Sequence, residues 1–250
     1  HPSDYEQPPD AILESGLDWP PFFHVPVLML MLITLLNDGT LITIAYDYAE
    51  ASALPNKWNL EALFLVSCVL GFVSCFSSLV LLFFLLDSWN PNGLLQSLGM
   101  NGVQYGQIIT AIYLKVSVSD FLTLFSARTG YRFFWKVAPA PILLAGGAFA
   151  LSLSSLLAIL WPNSTLDSIQ VEGLKNNMGL FAFVWIYSLI FWGFQDLLKV
   201  LTYKYMYKFN FNNINATGVV VLPESANKLI EEFEAAMAEG KGSVVKSGRH

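Results

Sequence analysis

Apolar runs of about 20 residues, the length that crosses a hydrocarbon core at ~1.5 Å of helical rise per residue, alternate along this chain with short polar connections. They fall at 25–46, 62–86, 103–125, 138–160 and 179–199 and predict five membrane helices. The second and fourth runs contain no charged residue. The first contains Asp38, the third Lys115 and Asp120, and the fifth reaches Asp196 and Lys199 only near its end. The predicted fold class is all-α, a polytopic membrane bundle with a polar tail. Asn37-Asp38-Gly39 interrupts the first run with two hydrogen-bonding side chains and a glycine, so that helix is expected to be unwound there, exposing carbonyls to a ligand or water.

The connections also set a direction, because Lys and Arg accumulate on the cytoplasmic side. Arg128, Arg132 and Lys136 lie between runs three and four, and Lys199, Lys204 and Lys208 close run five. The segment 1–24 carries Asp4, Glu6, Asp10, Glu14 and Asp18 without a Lys or Arg, the turn at 87–104 has no basic residue, and 161–178 has only Lys175. Residues 1–24 are therefore expected outside, 25–204 as the five-helix membrane domain, and 205–250 as a cytoplasmic tail. Aromatic residues at the run edges, among them Trp19, Trp58, Trp89, Trp135 and Trp161, fit interfacial belts. Asn163-Ser164-Thr165 is a glycosylation sequon on the predicted outer side, close to the membrane surface.

Composition sharpens the membrane reading. Of 250 residues, 54% are hydrophobic and 13% charged, against roughly 25% charged in a soluble domain. The net charge of −6 comes largely from the acidic segment 1–24 and disfavours nucleic acid as a partner. The two cysteines, Cys68 and Cys75, share one helix face at i,i+7 and are expected as small buried hydrophobes with no redox or metal role. In the tail, Ala226, Leu229, Ile230, Phe233 and Met237 form an apolar stripe among Glu231, Glu232, Glu234 and Glu239. That pattern predicts an acidic amphipathic helix at 226–239 that either contacts a protein surface or is a marginal helix in a solvated tail.

Asp38 is the sharpest chemical signal. A carboxylate within an apolar span costs several kcal/mol to hold ionised, so such acids mark ion or proton pathways or are kept neutral to hydrogen-bond a neighbouring helix. Thr34, at i−4, adds a hydroxyl on the same side, Asn37 completes the candidate transport site, and Gly39 is expected to act as its hinge. Asp120 is a second candidate. Lys115 and Asp120 stand about 140° apart around a helix and do not pair within it; Ser117 and Ser119 read as packing residues, and Asp196 as structural. No metal-ligand cluster, catalytic constellation or phosphate-binding loop is present.

The segment 28–46, LMLMLITLLNDGTLITIAY, resembles the sixth membrane helix of the plasma-membrane proton-pumping P-type ATPases, whose motif is ILNDGT followed by M/L-T-I. Pro55-Asn56-Lys57-Trp58-Asn59-Leu60 resembles the end of that family's loop between helices six and seven. Tyr113-Leu114-Lys115-Val116-Ser117 through Arg128 resembles its eighth helix, commonly YLQVS…IF-x-TR, with Lys115 in place of the glutamine. Trp185-Ile186-Tyr187-Ser188 with Asp196, Lys199 and Tyr203 resembles the tenth. The resemblance covers about 22–205. It implies helices six to ten of a pump, with Asp38 as the membrane proton acceptor and donor and Asp120 at a position where fungal members carry an acid. It also implies that the phosphorylated aspartate of DKTGT, the TGE motif and the sites for ATP and Mg²⁺ lie in cytoplasmic domains not on this chain, so no cofactor is expected here. The partners implied are membrane lipids and the N-terminal half of the pump, the location is the plasma membrane, and the chain reads as a fragment, inactive alone. Two other readings remain open. One is a secondary transporter or channel, although no internal repeat is evident; the other is a noncatalytic membrane module that associates with a full-length pump.

Overall fold

The structure, a computed structural model, describes residues 22–47, 59–100, 102–167 and 169–211. The expected acidic helix at 226–239, most of the segment 1–24 and the 48–58 loop lie outside the described residues. Five helices are long and apolar enough to cross a membrane: α1 (Val27–Ile44), α2 (Leu60–Leu86), α3 (Tyr105–Ala127), α4 (Pro141–Leu160) and α5 (Met178–Lys208). Their starts follow from local chemistry. Asn59 accepts the Ala62 N–H at 3.2 Å, Asn177 accepts the Leu180 N–H at 3.2 Å, and Pro141 occupies the first turn of α4, where no N–H is needed. Between α4 and α5 lies an antiparallel hairpin of β1 (Ser164–Leu166) and β2 (Ile169–Val171), with Ser164 opposite Val171. Residue-level periodicity in so short a polar segment does not announce it.

α3 lies between two helix pairs, α1 with α4 and α2 with α5, and packs against each of the four. Its most apolar stretch is 78% buried, against 17–33% in the others. Close approach is set by small residues, as expected where lipid offers no hydrophobic drive for helix association. A methyl added at Gly146 would meet Thr43 of α1 at 2.8 Å, and one at Gly147 the Phe125 ring of α3 at 2.6 Å. At the opposite end, Gly106 of α3 lies against the backbone of β2, where a methyl would collide with the Gln170 carbonyl and approach the Glu172 nitrogen to 2.9 Å.

Three expectations are corrected here. First, α1 is not unwound at Asn37-Asp38-Gly39; it is helical from Val27 to Ile44. The penalty of one helical glycine is only about 1 kcal/mol, less than leaving backbone groups unpaired at membrane depth. The flanking threonines also fold back onto the helix, Thr34 donating to the Leu30 carbonyl and Thr40 to that of Leu36, both at 2.9 Å. Second, Cys68 and Cys75 are exposed on α2 rather than buried, because α2 packs through the face of Val66, Leu70, Val73, Ser77 and Leu81. Third, α5 continues to Lys208, two turns past the expected end at 199, since Tyr203 and Met206 still pack against the start of α2.

These contacts make opposite forecasts for two glycines. Gly39→Ala meets nothing within 4 Å and should leave stability unchanged or raise it by up to about 1 kcal/mol. Gly106→Ala should lower it by about 1–3 kcal/mol through overpacking. Thermal unfolding of the purified protein in nanodiscs compares the two; a loss at Gly39→Ala would mean that α1 is not helical there.

Candidate functional site

The buried face of α1 is defined by Met29, Ile33 and Thr40. At about 100° per residue, Asp38 stands about 180° from Met29 and Thr34 about 140° from it. Both side chains are exposed, as is Gly39, while Asn37 is half-buried. Among the described residues Asp38 has no hydrogen-bond partner. Its neighbours on the open side are apolar: Met31, Leu35, Leu41 and Ile42. The face carrying the acid therefore turns away from α3 and α4, the helices that α1 packs against.

Asp120 lies elsewhere. It sits on the least covered stripe of α3, with Val116, Thr123 and Ala127, and makes no hydrogen bond to a described residue. The structure does not bring Asp38 and Asp120 together. Nor does it pair Lys115 with Asp120 by hydrogen bonding: the Lys115 ammonium, fully buried, donates to the Ser74 carbonyl (2.9 Å) and the Ser78 hydroxyl (2.6 Å) of α2.

A polar seam holds α2, α3 and α5 to one another around that lysine. The Ser74 and Ser119 hydroxyls are 3.1 Å apart, Tyr187 donates to the Ser77 carbonyl at 2.7 Å, and the Gln195 amide donates to the Leu70 carbonyl at 3.0 Å while its oxygen accepts from Thr123 at 3.1 Å. On the other flank of α3, Ser154 of α4 donates to Ser117 at 2.7 Å. Ser117 and Ser119 are thus helix-packing residues.

Two ionic latches close the end of the bundle where α3 finishes. In the first, Lys199 is wholly buried and lies within 2.7–2.9 Å of the Asp196 carboxylate, the Thr129 hydroxyl and the Ser126 and Arg132 carbonyls. Asp196 also accepts from the Ser126 hydroxyl and from the Phe134 N–H. Its carboxylate and the Lys199 ammonium together satisfy the chain leaving α3, so the role of Asp196 is structural. In the second, Arg128 grips Asp47 through Nε (2.5 Å) and Nη2 (3.0 Å) and donates to the Val137 and Ala138 carbonyls. Asp47 then accepts the Ala140 N–H at 2.9 Å, at the start of α4. The exit of α1, the exit of α3 and the start of α4 are joined through one carboxylate. The family motif signals Arg128, but Asp47 as its partner has no signature in spacing, since 81 residues separate them.

Arrangement and composition define a polytopic helical membrane protein with an acid on an uncovered helix face. No protein-family model matches the chain. It is similar to the probable proton ATPases 1B and 1A of Leishmania donovani, 45% and 44% identical over 191 residues, 73% of this chain and 20% of each relative. The chain spans about one fifth of the length of the curated relatives it matches.

The first latch makes a forecast of stability. Lys199→Met leaves Asp196 buried without its cation and should cost about 3–5 kcal/mol, whereas the double change Lys199→Met with Asp196→Leu should recover much of that loss. Denaturation of the single and double variants in detergent measures both; equal losses would show that the charges do not act as a pair.

Proposed function

We propose that this chain is the C-terminal membrane part, helices six to ten, of a P-type ATPase that exports protons across the plasma membrane, with Asp38 as the membrane proton acceptor and donor. The observation that carries the reading is the position of Asp38. A carboxylate directed into lipid from mid-helix is too costly to persist, and such acids face protein or a water-filled cavity. The Asp38 face of α1 is uncovered by α2 to α5, so the assembly that makes the acid tolerable must supply further protein on that side. The N-terminal half of a pump would do so, and the similarity to one fifth of each proton ATPase agrees.

On this reading, a proton reaches Asp38 from the cytoplasmic side, and a change in what covers the α1 face lowers its affinity for the proton when it faces outward. Thr34 and Asn37 flank the acid on the same uncovered or half-covered side and are suited to hold water or hydrogen-bond its carboxyl. Asp120, on α3, is the second candidate acid for proton transport. ATP and Mg²⁺ act in cytoplasmic domains carried elsewhere in the pump, and this chain alone performs no hydrolysis. The basic end of the bundle, with Arg128, Arg132, Lys136, Lys204 and Lys208, is cytoplasmic by charge, which puts the tail inside and residues 1–24 outside. The tail stripe at 226–239 is a regulatory contact of the same pump.

The test is vanadate-sensitive, ATP-driven proton uptake into vesicles holding the full-length parent, with Asp38→Asn compared at equal expression. The variant should still form the phosphoenzyme and lose at least about 90% of transport, given a tenfold effect per ~1.4 kcal/mol of lost proton-transfer stabilisation. Unchanged pumping would assign the proton to another residue.

A further inference from the structure

Thr110, Tyr113 and Ser117 follow Gly106 along α3 at i+4, i+7 and i+11, a spacing that keeps all four on one helix face. That face meets α4 and the hairpin. Gly106 lies against the β2 backbone, Thr110 donates to the Glu172 carbonyl at 2.8 Å, and Ser117 accepts from Ser154 of α4 at 2.7 Å. Tyr113, between them, is fully buried about 12 Å inside α3, yet its hydroxyl makes no hydrogen bond to a described residue. It lies beside the Ser154 hydroxyl, whose proton is already given to Ser117.

A second unpaired donor stands against the first. Trp161 ends α4, its ring centroid is 6.2 Å from that of Tyr113, and its indole Nε1 is buried with no hydrogen-bond partner among the described residues. The chain leaving β2 packs over this end of α4: Val171 and Leu174 are inaccessible, and a methyl at Gly173 would meet the Ile159 and Trp161 carbonyls at 2.7 Å. Donors closed off in this way carry the full cost of desolvation unless something inside meets them. That partner has to be small, neutral and an acceptor. An ion would bring a charge that Tyr113, Ser117, Ser154 and Trp161 have nothing to balance. A water oxygen accepts from the tyrosine O–H and from the indole N–H, and one of its own protons suits a lone pair of Ser154 Oγ. Three such bonds are what a buried water typically makes.

We propose that the seam between α3 and α4 beneath the hairpin is a built site for internal water, held by Tyr113, Trp161 and Ser154. The water continues the row of hydrogen bonds that Thr110 makes to the chain after β2 and Ser117 makes to α4, and so ties the end of α4 to the polar face of α3. Trp161 is then a positioning residue for that end of α4, acting through its N–H as well as through its ring. This inference is independent of the role given to Asp38, which stands on a different helix and faces away from this seam.

The experiment is radiolytic labelling of the full-length parent in nanodiscs, read residue by residue by mass spectrometry. Hydroxyl radicals form from water wherever it resides and attack aromatic rings beside it, so a buried tyrosine is labelled where water is bound. Tyr113 should be oxidised several-fold faster than Tyr187, which is also buried but bonded directly to the Ser77 carbonyl. Tyr113→Phe tests the same point by the sign of its effect on thermal unfolding of the purified protein. Loss of a hydroxyl bonded to water lowers the midpoint by roughly 2–4 °C, whereas loss of a hydroxyl with no partner raises it. Tyr113→Phe and Ser154→Ala, which remove no direct hydrogen bond in common, should be non-additive through the shared water, the double variant losing less than the sum of the single losses. Labelling of Tyr113 no faster than that of Tyr187, a raised midpoint in Tyr113→Phe, or strict additivity of the two substitutions would overturn the proposal.

Discussion

The structure depends on how α3 satisfies its polar groups inside an apolar medium. In lipid, apolar surface supplies no net drive for helices to meet, and association rests on close packing and on hydrogen bonds between helices. α3 carries Lys115, Ser117, Ser119, Thr123 and Ser126, and each reaches an atom on another helix: Ser74 and Ser78 of α2, Ser154 of α4, and Gln195 and Asp196 of α5. The helix is central because its buried positions carry these polar groups, not because it is the most apolar. Exposing that seam to hydrocarbon would strand several donors at once, so the arrangement of α2, α4 and α5 about α3 has little freedom to change.

The boundary latches extend the same constraint to the chain reversals. Lys199 and Asp196 are paired at 2.7 Å and both essentially inaccessible, a configuration favourable only when the remaining donors and lone pairs are also used. Here the Ser126 and Arg132 carbonyls, the Thr129 and Ser126 hydroxyls and the Phe134 N–H use them. The pair therefore fixes the path of residues 126–134 against α5. Arg128 and Asp47 perform the equivalent task for α1 and α4. Their exposure is also small, at 6% and 12%, so the planar guanidinium fork is well matched to a carboxylate that must also cap a helix.

Much of this is legible in the sequence, and what is not has a physical pattern. Hydropathy over about 20 residues reports the solvent of a helix, so the five spans and the placement of basic residues at one end could be read directly. The family motif around Asp38 likewise pointed to a proton ATPase. Pattern reasoning failed where an outcome depends on partners distant in sequence or on a balance of small terms. The continuity of α1 through Asn37-Asp38-Gly39 is such a balance, decided by the backbone ladder over one glycine. The exposure of Cys68 and Cys75 depends on which side of α2 meets α3, and in an all-apolar helix no face is marked. Lys115 finding Ser74 and Ser78, and Asp47 finding Arg128, required the tertiary fold.

The tethering of α1 limits how an acid on it can work. At one end its first N–H, that of Val27, donates to Asp167 beside the hairpin at 3.0 Å; at the other, Asp47 is clamped by Arg128. Between these points Met29 and Ile33 join the main core and Thr43 abuts Gly146. A helix held at both ends and along one face cannot slide or rotate against α3 and α4 without breaking an ion pair and a packed seam together. Its other face, with Asp38 and Thr34, has no such restraint among the described residues. If Asp38 binds and releases a proton, the alternation in its surroundings must come from what moves across that open face, with α1 to α5 as the stationary wall. The proton site is then shared between a fixed half and a mobile half. The division between them follows the boundary between the packed face of α1 and its uncovered face.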